Sequence, residues 1–373
     1  MPFTPLNRRH LVRASLAGTS LAWLSGATHA STNLPGGSLV FPRDAGAHPN
    51  FQTEWWYLTG CANVDGITAG LGFQVTFFRR RVGSTQSMES ALAAKQLLFA
   101  HAAVSDVAGK TLWSNQRIAR WSGTPAGANP ADVAWARLDD SGVVLRDWSL
   151  TRTPAGALRA QVRAADFALD LRFTDTQPLL LQGDQGRSRK GPEAAQFSYY
   201  YSRPQLQAQG EISLKGKRKV LEAGSSAWLD QEWSDALLHP DAVGWDWIGI
   251  NLQDGSALTA FRLRRKDGSA LWDGGSFRKG DRALNFQSGE VVFEPERRWR
   301  SPRTQASYPV QWQLRTPSGS YTVNAVFDAQ ELDSRSSTGT VYWEGLCELR
   351  DSQQRLVGRG YLEMTGYAAP LVL

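Results

Sequence analysis

The sequence predicts an all-β protein folded as two barrel-like halves. Three observations carry that expectation. Apolar and polar residues alternate with period two along most of the chain, Asp-Gly pairs punctuate the alternation, and one hairpin pattern occurs twice.

In chain order the alternation marks strands at 72–77, 143–150, 158–173, 210–214, 257–263, 310–314, 321–327 and 358–364. One short helical or irregular piece is expected over 88–98. Loops are expected at 125–132 and 183–195, where Gly, Pro and charge concentrate. Asp65-Gly66, Asp254-Gly255 and Asp267-Gly268 read as tight type I′ hairpin turns, because that turn needs positive φ at both central residues. The duplication lies in Trp55-x-Tyr57 ahead of Asp65-Gly66 and Trp245-x-Trp247 ahead of Asp254-Gly255. Each Asp-Gly is followed by a strand carrying Phe and then arginines, Phe77 to Arg80 and Phe261 to Arg264. This repeat predicts a boundary near Ala223-Gly224, giving halves at 31–223 and 224–373, with one large sandwich as the competing architecture.

Residues 1–30 read as an export signal rather than as fold. Arg8 and Arg9 lead the twin-arginine pattern, a short apolar run follows, and Thr28-His29-Ala30 offers a cleavage site after Ala30. The expected location is therefore the bacterial periplasm or beyond. Removal of Arg8, Arg9 and Arg13, with no acid among those thirty residues, lowers the formal charge from +6 to +3. So small and scattered an excess argues against a nucleic-acid partner. Cys61 and Cys347 are the only cysteines. In an oxidising compartment they could pair, and two isolated thiols fit the sequence equally well.

Chemistry concentrates at Trp228-x-Asp230-x-Glu232-Trp233 and Gly244-Trp245-Asp246-Trp247. On a strand, Trp228, Asp230 and Glu232 share one face and Leu229, Gln231 and Trp233 the other. Two acids two residues apart repel, which raises at least one pKa in a poorly solvated site and suits a general acid. The alternative is that each acid accepts bonds from an arginine or an indole N–H and locks two strands together. Asp230, Glu232 and His48 are the candidate catalytic residues. Glu54, Trp56, Tyr200, Trp228, Trp245, Asp246, Trp247 and Glu344 are the candidate ligand contacts. The sequence has no Gly-x-Ser-x-Gly elbow, no Cys-x-x-Cys, no histidine spacing suited to a metal and no phosphate-cradling glycine loop. Acid–base chemistry without a cofactor, or binding alone, remains.

The motifs Phe41-Pro42-Arg43-Asp44-x-Gly46-x-His48-Pro49, Thr53-Glu54-Trp55-Trp56-Tyr57-x-Thr59-Gly60, Ala227-Trp228-x-Asp230-x-Glu232-Trp233-Ser234, Tyr342-Trp343-Glu344-Gly345 and Gly358-Arg359-Gly360-Tyr361-x-Glu363-x-Thr365-Gly366-Tyr367 occur in order over 38–370. In these the chain resembles the AttH family of secreted proteins, relatives of carotenoid 1,2-hydratase. The resemblance implies two lipocalin-like (calycin) barrels in tandem, with a cleft for a lipid or isoprenoid-like ligand near their junction. It also implies an acid, here Asp230, that protonates an isolated alkene with no cofactor. The family pattern usually has His where this chain has Gln231. Two readings lead: a carrier of an apolar ligand, working alone or with a membrane transporter, and a hydro-lyase using Asp230. Hydrolysis by the carboxylate pair, about 6–7 Å apart at Cα on one strand, is the third.

Replacing Arg8 and Arg9 by Lys should leave the 373-residue precursor uncleaved in the cytoplasm. Wild-type protein recovered from the periplasm should begin at Ser31; cell fractionation with N-terminal sequencing checks both.

Overall fold

The computed structural model describes residues 37–236 and 238–371, so the expected export signal with Arg8, Arg9 and Ala30 lies outside the described residues. The regular structure of the described chain is almost entirely antiparallel strand, gathered into two large sheets and one small two-stranded ribbon.

The first sheet is built around the Thr53–Val64 strand, which pairs on one side with Ile67–Arg81 and on the other with Ser226–Ser234. From Ile67–Arg81 the sheet runs on through Gln96–Asp106 to Thr111–Trp121. In the other direction it runs through the long Phe197–Leu214 strand, then Phe167–Thr174, and back to Ala134–Ala136, which lies beside Thr111–Trp121. The sheet thus almost closes on itself. Inside it Trp56, Leu58, Phe73, Val75, Trp121, Trp148 and Leu229 belong to one apolar core. The second sheet is built likewise around Ala242–Leu252, flanked by Ala257–Arg265 and Leu356–Met364, with Trp312, Trp343 and Leu362 in its own core.

The duplicated hairpin is real, but its two turns differ. Asp65 and Gly66 have φ of 53° and 75°, the positive pair that a type I′ turn requires. At 254–255 and 267–268 only the glycine is positive, and the turns are longer. The expected strands at 143–150 and 158–173 are each broken in two. Arg146 turns with φ of 57°, and residues 164–166 form a second connection. Residues 88–95 form no helix, and a short Arg187–Arg189 strand interrupts the expected 183–195 loop.

Ala223-Gly224 is a tight turn, and the Ser226–Ser234 strand that follows is hydrogen-bonded between Thr53–Val64 and Phe197–Leu214. The chain changes sheets between Ser234 and Ala242. A third apolar cluster, including Tyr57, Trp228, Trp247, Phe261, Leu346 and Tyr361, fills the space between the sheets. Gly249 permits the close approach there: a Cβ would lie 2.4 Å from the Trp247 ring and 3.2 Å from that of Trp228.

One ionic cluster fixes the inner face of the first sheet. Arg79, 1% exposed, donates to Glu54 Oε2 (3.0 Å), Gln96 Oε1 (2.8 Å) and the carbonyls of Phe51 and His48 (2.9 and 2.8 Å). Removing such a buried partner strands a carboxylate. Arg79→Leu should therefore lower stability by roughly 3–5 kcal/mol, read from the denaturant midpoint.

Candidate functional site

The Ser226–Ser234 strand is buried along both faces, so its pleat sends alternate side chains into two different interiors. Leu229 enters the core of the first sheet. Gln231 on the same side donates to the Gly46 carbonyl and Glu54 Oε1 (2.8 and 3.1 Å), and Trp233 stacks on His48 at 3.7 Å. Trp228, Asp230 and Glu232 point the other way, toward the second sheet. Cross-strand pairing sets Asp230 between Tyr57 and Ser202, and Glu232 between Trp55 and Tyr200.

There the sheets enclose a cavity of about 100 Å³. Its walls are mainly aromatic: Trp55, Tyr57 and Phe78 from the first sheet, Trp245, Trp247 and Phe261 from the second. Lys190, Tyr200, Asp230, Glu232 and Glu363 are its polar groups. Asp230 is 3% exposed and accepts three bonds. Ser202 Oγ and Trp228 Nε1 donate to its Oδ1 (2.6 Å each), and the Tyr200 hydroxyl donates to Oδ2 (2.5 Å). The Trp247 indole N–H donates in turn to that hydroxyl oxygen (3.2 Å). Burial pushes the Asp230 carboxyl up to about 7; the three donors pull it back, and neighbouring Glu232 adds to the rise.

The other acids are managed differently. Glu232 accepts from Ser198 Oγ and pairs with Lys190 Nζ at 3.0 Å, and that ammonium lies 4.1 Å from the Phe261 ring centroid. Glu363 is surrounded by protein yet keeps accessible surface, which is cavity wall. Burial raises its carboxyl to about 7 against a hydrogen bond from Trp245, with Glu232 and Asp230 adding to the rise. Glu344, its cross-strand partner, is 2% exposed and accepts from Gln74 Nε2 at 2.5 Å. Burial and Glu363 hold the Glu344 carboxyl well above the usual carboxylate range.

The cavity therefore brings together Asp230, Glu232, Tyr200, Trp245 and Trp247 of the candidates read from sequence, with Trp228 bonded to Asp230 beside it. It excludes the side chains of His48, Glu54 and Trp56, which face the opposite interior because even and odd residues of the Thr53–Val64 strand diverge. Burial alone would lower the pKa of His48, but Glu54 and Asp44 outweigh it and raise the imidazole above its usual value. Nδ1 faces Glu54 and Nε2 faces Asp44, so both ring nitrogens of His48 are engaged in this cluster, away from the cavity. Asp246 is likewise turned away, accepting from Arg262 Nε (2.7 Å) and the Tyr367 hydroxyl (2.8 Å). Glu344 stands behind Glu363 and does not line the cavity. Sequence reading missed Lys190, hidden in an expected loop, and the side chains of Trp55, Tyr57 and Glu363. The signal for Glu363 was present in the final strand, where it alternates with Tyr361 on one face.

A protein of two packed antiparallel sheets, one nearly closed, with an acid-bearing aromatic cavity between them, has the lipocalin-like fold in tandem. The AttH-like family model matches residues 32–367, and the chain belongs to that family. An AttH protein of Nitrosomonas europaea is 45% identical, the match covering 90% of this chain and 98% of that one, with a TM-score of 0.80. Kievitone hydratase of Nectria haematococca shares the fold at 14% identity and a TM-score of 0.64, over 91% of this chain and 95% of that one. CghA matches at 16% identity and a TM-score of 0.50, over 90% and 95%. No curated protein matches the chain. Cys61 and Cys347 are both buried free thiols.

The Asp230 shift makes a stability prediction. An unfolded chain releases this proton near 3.8 and the folded chain near 7, so between those values the unfolded state binds fewer protons. Stability contributed by Asp230 therefore falls as pH rises through that window, by roughly 4 kcal/mol at most. Asp230→Asn imitates the protonated form. Its melting temperature relative to wild type should be higher at pH 8 than at pH 5, read by calorimetry at both.

Proposed function

We propose that this protein takes a small apolar molecule into the cavity between its sheets and hydrates an isolated carbon–carbon double bond, or runs the reverse dehydration, without a cofactor. The observation that carries the reading is a carboxyl poised to hold a proton near neutral pH, bonded to a phenol, in an aromatic chamber. A carrier of apolar ligands has no need of such a group.

When Asp230 holds its proton on Oδ2, that proton is donated to the Tyr200 oxygen, and the phenol's own hydrogen is released toward the cavity. Proton delivery then runs from Tyr200 to the alkene carbon as Asp230 reprotonates Tyr200. Asp230 is left ionised and the ligand a carbocation. The faces of Trp55, Trp245 and Trp247 stabilise that cation by cation–π attraction, and water adds to it. Glu232 is engaged by Lys190 at 3.0 Å and by Ser198, so it is not the group placed to deliver the proton. Membership of the AttH family and the fold shared with a hydratase support the reading. The proposed setting is the periplasm, reached through the twin-arginine signal.

A second reading, binding without chemistry, draws on one observation: the three donors on Asp230 could serve only to lock strands. Isoprenoid alkenes and prenylated phenols should raise the melting temperature of both wild type and Asp230→Asn. Wild type should incorporate ¹⁸O from labelled water, and the variant should lose that incorporation by about 10²-fold or more. Full turnover by Asp230→Asn removes the acid role, and no stabilisation by any such ligand removes both readings.

A further inference from the structure

Water addition needs a second group, because the attacking water must lose a proton as it bonds to the cation. Asp230 and Glu232 are poor acceptors for it. Asp230 already receives three donors, and Glu232 is held by Lys190 and Ser198. Glu363 is different. Its carboxyl has a single supporting donor, Trp245, and it retains accessible surface.

That surface faces two chambers. Behind the aromatic cavity lies a second one of about 130 Å³, and Glu363 lines both, together with Trp55, Phe78 and Trp245. Trp55 and Trp245 stack with centroids 6.5 Å apart and form the partition. On the far side the second cavity presents Thr338, Thr340 and Thr365. Thr338 is bonded to Ser334 and Thr365 accepts from the Trp245 backbone N–H, which leaves the Thr340 hydroxyl and the Glu363 carboxylate as the two polar partners that an ordered water requires at the least.

We propose that the second cavity is the water site of the reaction and that Glu363 is its general base; this rests on the hydro-lyase reading above. The water oxygen bonds to the cationic carbon and one of its protons passes to the Glu363 carboxylate, giving the neutral alcohol. The protein is left with Asp230 ionised and Glu363 protonated, and one proton exchanged through solvent restores the starting state.

The test uses 2-prenylphenol and geraniol as probes in D₂O and in H₂¹⁸O. Each carries a trisubstituted alkene whose protonation gives a tertiary cation. Deuterium exchange into recovered alkene reports protonation by Tyr200 and Asp230, which also take the proton back; ¹⁸O in the alcohol reports water attack. Glu363→Gln should keep deuterium exchange and the ligand-induced rise in melting temperature while losing hydration by about 10²-fold or more. Asp230→Asn should lose exchange and hydration together. Thr340→Val, which alters the water chamber alone, should lower hydration several-fold and leave exchange intact, and it replaces Glu363→Gln if that variant fails to fold. Hydration at the wild-type rate by Glu363→Gln, or by Thr340→Val where it is the substitute, overturns the base assignment and leaves the acid standing. Hydration by Asp230→Asn, or wild type inert toward both probes, overturns the reading beneath it.

Discussion

The centre of this molecule depends on one strand, Ser226–Ser234, being covered on both faces. A strand in that position cannot send polar side chains to water, so every polar group on it must be satisfied inside protein. One face carries Gln231, bonded into the first sheet's interior, and Trp233, whose ring stacks on His48 while its N–H is left without a partner. The other face carries two carboxyls into the gap between sheets, and the second sheet supplies what encloses them.

Two buried acid clusters lie back to back across this sheet, and their opposite treatment separates scaffold from site. Glu54 is met by Arg79, His48 and Gln231, and these partners, His48 first and then Arg79, draw its carboxyl below the usual range despite burial. It is a fixed negative charge. Asp230 and Glu363 have donors but no directly bonded cation, and burial leaves both near 7. Groups left half-compensated in this way can exchange protons at physiological pH, and such groups gather where chemistry is done. The single cation at the cavity, Lys190, is given to Glu232, which adds negative charge beside Asp230 while staying engaged itself.

Aromatic residues serve the architecture and the cavity at once. Trp228 fills the gap between sheets and donates its N–H to Asp230; Trp247 does the same toward Tyr200. Their bulk is accommodated because Gly249 has no side chain where the two indoles approach. The small volume left over is therefore set by packing, and a ligand must meet ring faces whichever way it enters.

The strand alternation was legible in the sequence, because period two is a local property of a half-buried sheet. So were the repeated hairpin, the family motifs, and the shared face of Asp230 and Glu232. Other features required the tertiary structure. Glu54 and Trp56 looked like site residues, yet the pleat that places Asp230 in the cavity places their neighbours Trp55 and Tyr57 there instead. Which face of a strand meets the second sheet is a matter of pairing between residues more than 150 positions apart, and alternation alone is symmetric between the faces. The same long-range pairing holds the Ser226–Ser234 strand in the first sheet. The sequence by itself determined the strand alternation, the family and a short list of acids. Only the tertiary structure decided which of those acids is left without a cation, because compensation of a buried charge depends on groups that chain order does not bring near.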